Sequence, residues 1–174
     1  MFSRISGTTF ALLISLSTLP IPLRAEVDST SKYKVLANQE SGLNVNAVEN
    51  YLKKGDRFRR KGNFDLAIKE YKKARKLSNF LAPNYRDLNG AFRGIDSRIP
   101  KEMNKKGRKA LSLLSSANLK LAGIYRQQDD PVRAVPLLVE VVKLVTPTKP
   151  EGQKAYQALL ELGFVETPYA GARD

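Results

Sequence analysis

Arg59, Arg93 and Arg126 recur at spacings of 34 and 33 residues. Arg60 adjoins the first of them, and Arg86 precedes the second by seven positions. A guanidinium is planar, permanently charged and binds carboxylates through two parallel hydrogen bonds. A ladder of such groups would suit an acidic peptide or a chain-terminal carboxylate. Ordinary solvated charges would give the same residues, because the chain carries 30 Lys and Arg. A second basic set comprises Lys69, Lys72, Lys73, Arg75 and Lys76, followed by Lys101, Lys105, Lys106, Arg108 and Lys109. Together these would make a footprint for an anionic surface. Taken separately they read as solvated helix faces.

The chemistry left out is equally informative. The 174 residues include no Cys and no His. That removes thiol nucleophiles, disulfides, thiolate or imidazole metal sites and the Ser-His-Asp arrangement. No glycine-rich phosphate loop or dinucleotide fingerprint is present. Asp129-Asp130 is a pair of adjacent acids, which point apart on a helix and suit a helix start. We read no catalytic residue, no metal ligand and no cofactor in the chain, and hence a binding protein rather than an enzyme.

The elements that must carry these residues are helical. Apolar residues recur at three- and four-residue steps, and no alternating run of strand formers is present. The pattern predicts a helix from near Asn46 to Gly62 and, capped by Asn63, a second from Phe64 to about Leu77. A third runs from Pro83 to about Ile95, with Tyr85, Leu88 and Phe92 on one face. Lys101 to Gln128 reads as one long helix or two. Asp129-Asp130-Pro131 starts the next, which carries Val135, Leu138, Val139, Val142 and Val145. A last helix covers Glu151 to Leu162 and stops at Gly163.

This chain of paired helices repeats itself with a period near 34. Tyr51, Lys54 and Phe58 return as Tyr85, Leu88 and Phe92, and Asn118, Leu121 and Tyr125 follow 33 residues later. In the first pair Tyr51 and Phe58 are the large aromatics and Gly55 the small residue between them. Gly62 makes the turn, and Ala67, Tyr71 and Ala74 give a small-large-small second helix. Leu121, Ala122, Tyr125, Ala134 and Leu138 match again in a later unit. The chain resembles the tetratricopeptide repeat family over roughly residues 48–148. The middle unit departs from the pattern, with Lys101, Lys105 and Arg108 where small or apolar residues belong. Sliding its register to Met103, Gly107 and Ala110 leaves too little chain for a turn. The resemblance implies an all-α fold, a right-handed superhelical stack of antiparallel helix pairs, with the last helix as its cap. It also implies that first helices line a concave groove, on which Arg59, Arg60, Arg86, Arg93 and Arg126 would sit.

The N-terminus has the layout of a secretory signal peptide. Arg4 precedes the apolar stretch from Phe10 to Leu19, then come Pro20, Pro22 and Ala25. We expect residues 1–25 to be removed, 26–45 to form a flexible leader, 46–163 to fold as one helical domain and 164–174 to be a tail. A retained membrane anchor is the alternative reading. Arg4 and Arg24 leave with the first segment and no acid does, so the net charge of +13 becomes +11. Export to a periplasm or thylakoid lumen argues against nucleic acid as the partner of so basic a chain. It favours an acidic protein segment, a membrane-protein domain or an anionic lipid surface.

Overall fold

The computed structural model describes residues 42–171. The signal segment 1–25 and most of the leader lie outside the described residues. Five α-helices follow one another: α1 Val45–Arg60, α2 Phe64–Ala91, α3 Arg98–Gln127, α4 Pro131–Val145 and α5 Pro150–Glu161. Among the described residues there is no strand. None of the described helices is long and apolar enough to cross a membrane.

Each helix packs on the next, and α1 and α5 both touch α3. The helix ends are set by local chemistry. Asn44 Oδ1 accepts from the Ala47 amide, which caps α1. Gly62 takes the left-handed conformation of the α1–α2 turn (φ 76°), where a side chain would be strained. Asn63 stands at the start of α2, but its side chain makes no capping bond; its carbonyl accepts from Ala67. Asp130 accepts from the Arg133 amide at the start of α4, the role read for it above. Pro131 and Pro150 occupy first-turn positions, where a missing N–H costs nothing.

The main departure from the sequence pattern is α2. The break expected between Leu77 and Pro83 is absent, and one helix of 28 residues runs through both. Pro83 lies inside it. Proline forfeits the amide that would bond to Asn79 and crowds that carbonyl. The helix continues nonetheless, held by Leu81 and Ala82, which are buried against α3. The Asn84 side-chain amide donates to the Phe80 carbonyl at 2.6 Å within this stretch. Residues 98–127 are likewise a single helix of 30 residues.

α2 and α3 therefore form one long antiparallel hairpin. Arg75 bonds Asn118, Tyr85 lies beside Gly107, and the Asn89 side chain donates to the Pro100 carbonyl. The near half of this hairpin is flanked by α1 and α4. The far end, from about residue 88 to 104, reaches past the start of α1. The supposed middle repeat is this outer half. Leu88, which the repeat pattern places in the packing set, is 47% exposed, because α1 begins too low to cover it. Phe92 and Tyr85 are only partly buried there.

The rest of the packing set closes one core. Ala67, Tyr71, Ala74, Leu121, Ala122, Tyr125, Ala134 and Leu138 are all buried, and Tyr51 and Phe58 pack against them. Gly55 is buried under the Tyr71 ring, and a Cβ there would overlap ring carbons. A small residue faces a large one across the pair, as its spacing indicates. α5 packs on α4. Beyond it the chain folds back, with Tyr156 donating to the Thr167 carbonyl and meeting Tyr169 edge to face.

Candidate functional site

α1 and α3 run side by side in the same direction, tied by ion pairs Glu49–Lys109 and Asp56–Lys120, each 2.7 Å. α5 follows on the other flank of α3. These three alternate helices border an open cleft of about 340 Å³. α1 contributes Arg59, and α3 contributes Ser116, Leu119, Lys120, Gly123 and Arg126. α5 contributes Lys154 and Ala158, while Leu138 of α4 lies at the floor. Residues 116, 119, 123 and 126 are one face of α3, since they step by three and four.

Four cations thus meet in one concavity. Two of them are held by acids of the fold. Lys120 bonds Asp56 and sits 5.8 Å from the Tyr71 ring centre. Arg126 bonds Glu161 of α5, which holds that carboxyl below its ordinary value, with help from Gln157. Arg59 and Lys154 are exposed and have no carboxylate partner among the described residues. Beside the cleft, Asp56, Lys120 and the buried Tyr71 join α1, α3 and α2. Tyr71 donates its hydroxyl proton to Asp56 at 2.6 Å, beside the Lys120 contact. Burial pushes the Asp56 carboxyl up, but the hydrogen bonds from Lys120 and Tyr71 outweigh it and leave it below the usual range. Burial and the Asp56 contact raise the Tyr71 hydroxyl well above its ordinary value. Asp56 therefore stays ionised and Tyr71 neutral at any physiological pH.

The structure splits the five arginines read from the repeat. Arg59 and Arg126 share the cleft. Arg60 faces the outer side of α1, with Tyr51, Lys53 and Arg57. Arg86 lies on the outer half of α2, 3.5 Å from Asp87. Arg93 stands in the turn beyond the end of α2, not on a groove-lining helix. Lys120 and Lys154 are the cleft residues that the sequence reading missed. Lys120 shares a helix with Arg126, and Lys154 sits on the helix read only as a cap.

The lysine set is split too. Lys69, Lys72 and Lys76 are exposed on the near half of α2. Lys73 is drawn to buried Glu70 at 2.8 Å and lies over the Tyr51 ring. Lys101 and Lys105 are exposed on the outer half of α3. Lys106 pairs with Glu102 and lies over Tyr85, and Lys109 pairs with Glu49. The antiparallel register puts Lys105 level with residue 87, about 16 Å along the hairpin from Lys76 at 1.5 Å per residue. One continuous footprint is not formed. Arg75 is structural: it donates to Asn118 at 2.9 Å and Glu140 at 2.7 Å, tying α2, α3 and α4 together.

Compared with known proteins, the chain matches no family model, no curated protein and no solved structure.

Proposed function

We propose that this protein is a non-catalytic binding scaffold that holds an acidic or extended segment of a partner protein in the cleft of α1, α3 and α5. The observation that carries this reading is the convergence of Arg59, Lys120, Arg126 and Lys154, from three helices, on one concavity. Arg59 and Lys154 are free to meet an incoming carboxylate, and Arg126 can exchange Glu161 for one at little cost, since the pair is exposed. Leu119, Leu138 and Ala158 give the cleft an apolar lining for the side chains between the acids. Guanidinium groups make such contacts in pairs of hydrogen bonds, which fixes the register of the bound segment. The tetratricopeptide resemblance supports the same face as the docking side, and the superhelical stacking of such repeats is part of this proposal. So is export, read from residues 1–25, with the periplasm or thylakoid lumen as the place of action.

The test is capture of envelope proteins by the wild-type chain and by the R59A/R126A/K154A variant. The triple variant should lose the captured partner by ten-fold or more, with unchanged helicity. A K69Q/K72Q/K76Q variant should retain it. Capture that survives the first change and fails in the second would remove the cleft from the proposal.

A further inference from the structure

The outer end of the α2–α3 hairpin is a prong; of the other described helices α4 approaches its inner part, where Leu144 shares a groove with Ala82, Pro83, Arg86, Met103 and Arg108. The Glu49–Lys109 pair sets the register of α1 against α3 and puts Val45, the first residue of α1, level with about residue 105. From there to Arg98 the hairpin continues for about seven more residues, about 10 Å beyond the start of α1 at 1.5 Å per residue. Its apex is the six-residue turn 92–97, shaped by Gly94 in the left-handed conformation (φ 85°) and by the Asp96 carboxylate accepting from the Arg98 amide. At that apex Ile95 is 77% exposed, and Leu88 adds a second exposed apolar side chain lower down. Lone exposed apolar residues are common. This one differs in its surroundings.

Residues 83–109 hold eight Lys or Arg against three acids. Two of the acids are occupied locally, Asp96 by Arg98 and Glu102 by Lys106; Asp87 is next to Arg86. Arg93, Lys101, Lys105 and Arg108 are exposed and have no carboxylate partner among the described residues. Arg93 makes only a 3.5 Å contact with Asn89. The prong thus presents an apolar point ringed by unneutralised cations, at the end of a rigid lever. An anionic bilayer fits that arrangement. Its headgroups attract clustered Lys and Arg, and its interfacial zone accepts an aliphatic side chain a few ångströms deep. A flat membrane can also meet the tip without touching the cleft of α1, α3 and α5.

We propose that the α2–α3 hairpin tip docks this protein on an anionic lipid surface, with Ile95 inserted among the headgroups and Arg93, Lys101 and Lys105 contacting them. The proposal is independent of the cleft and of its partner.

The test uses the full chain with vesicles of phosphatidylcholine alone and with 30% phosphatidylglycerol added. The excess binding on anionic over neutral vesicles cancels any contribution of the apolar stretch 10–19. Wild type should show that excess, and it should fall with added salt. I95D and R93E/K101E/K105E should each reduce it by ten-fold or more while keeping the wild-type melting curve, since all four side chains are exposed. K69Q/K72Q/K76Q should stay within two-fold of wild type. The chain contains no Trp, so I95W supplies a single reporter. Its emission should shift to the blue on anionic vesicles and be quenched by brominated lipid. Anionic binding unchanged in both tip variants, or lost only in the K69Q/K72Q/K76Q variant, would overturn the proposal. So would an I95W emission that responds to soluble poly-glutamate and not to vesicles, which would make the tip a protein-docking element.

Discussion

Tyr71 is the residue on which the near half of the molecule turns. Its ring lies on Gly55, its hydroxyl holds Asp56, and Lys120 lies over its face. A Cβ at position 55 would overlap the ring, so G55A forces the α1–α2 pair apart. Overpacking of this kind costs about 1–3 kcal/mol, and thermal unfolding of G55A should show a clear drop in melting temperature. Gly152 is more demanding, because a Cβ there would run into the backbone carbonyl of Thr146, which has no rotamer to yield. G152A should destabilise the α4–α5 corner more than G55A destabilises α1–α2, with loss of amide protection in α5. Asp56 adds a pH signature. Its carboxyl is lowered in the folded state from 3.8. A lowered carboxyl contributes stability that is full above the unfolded value and lost as pH falls through the folded one. The urea midpoint should therefore decline as pH falls below about 4, and D56N should flatten that part of the profile.

At the scale of elements, the continuity of α2 is the consequential feature. Proline in a helix interior carries an intrinsic cost of about 3 kcal/mol. Here α2 bears it because Leu81 and Ala82 on the same stretch are buried against α3. P83A should raise the melting temperature, and amide exchange should show unbroken protection from about residue 74 to 88. A gap of fast exchange at 78–82 would mean two helices and would remove the prong. The second linkage between elements is Arg75, which joins Asn118 and Glu140. Asn118 is fully buried and its amide nitrogen has no partner among the described residues, so its oxygen depends on Arg75. Cutting away that donor leaves a buried acceptor unsatisfied, which costs about 1–3 kcal/mol. R75A should be destabilising beyond the effect of E140A. A double-mutant cycle between them should give a coupling of about 1 kcal/mol or less, as the pair is partly exposed.

At the scale of the whole molecule, the five helices divide much of the unpaired positive charge between two regions. The cleft of α1, α3 and α5 concentrates cations within a fold that supplies some of their counter-ions. The prong carries its cations on an extension with too few acids to neutralise them. Because the two faces lie at opposite reaches of α3, their effects should separate. Cleft variants should lower partner capture and leave vesicle binding intact, and tip variants should do the reverse. Combining R59A/R126A/K154A with I95D should show each loss in its own assay at the size of the separate variants, since the sites share no side chain.

The all-helical class, the small residue at Gly55 under an aromatic, and the start of α4 at Asp130-Pro131 were all written in local pattern. Each depends on residues a few positions apart, or on the volume that one side chain must leave for another. The same local logic explains where the pattern misled. Tyr85, Leu88 and Phe92 repeat the spacing of a first helix, but a period of three and four residues is common to any helix and cannot tell whether the chain turned at Leu77. Pro83 looked like a beginning because proline suits a first turn. Burial of Leu81 and Ala82 against α3, a partner some thirty residues away in sequence, outweighs that preference. The structure alone decided that Arg59 meets Arg126 and Lys154 while Arg93 stands apart at a hairpin tip. Convergence of charge depends on which helices become neighbours, and that is set by long-range packing rather than by the period of any one helix. The arginine ladder read from the spacing of 34 and 33 therefore becomes two features, a cleft and a prong.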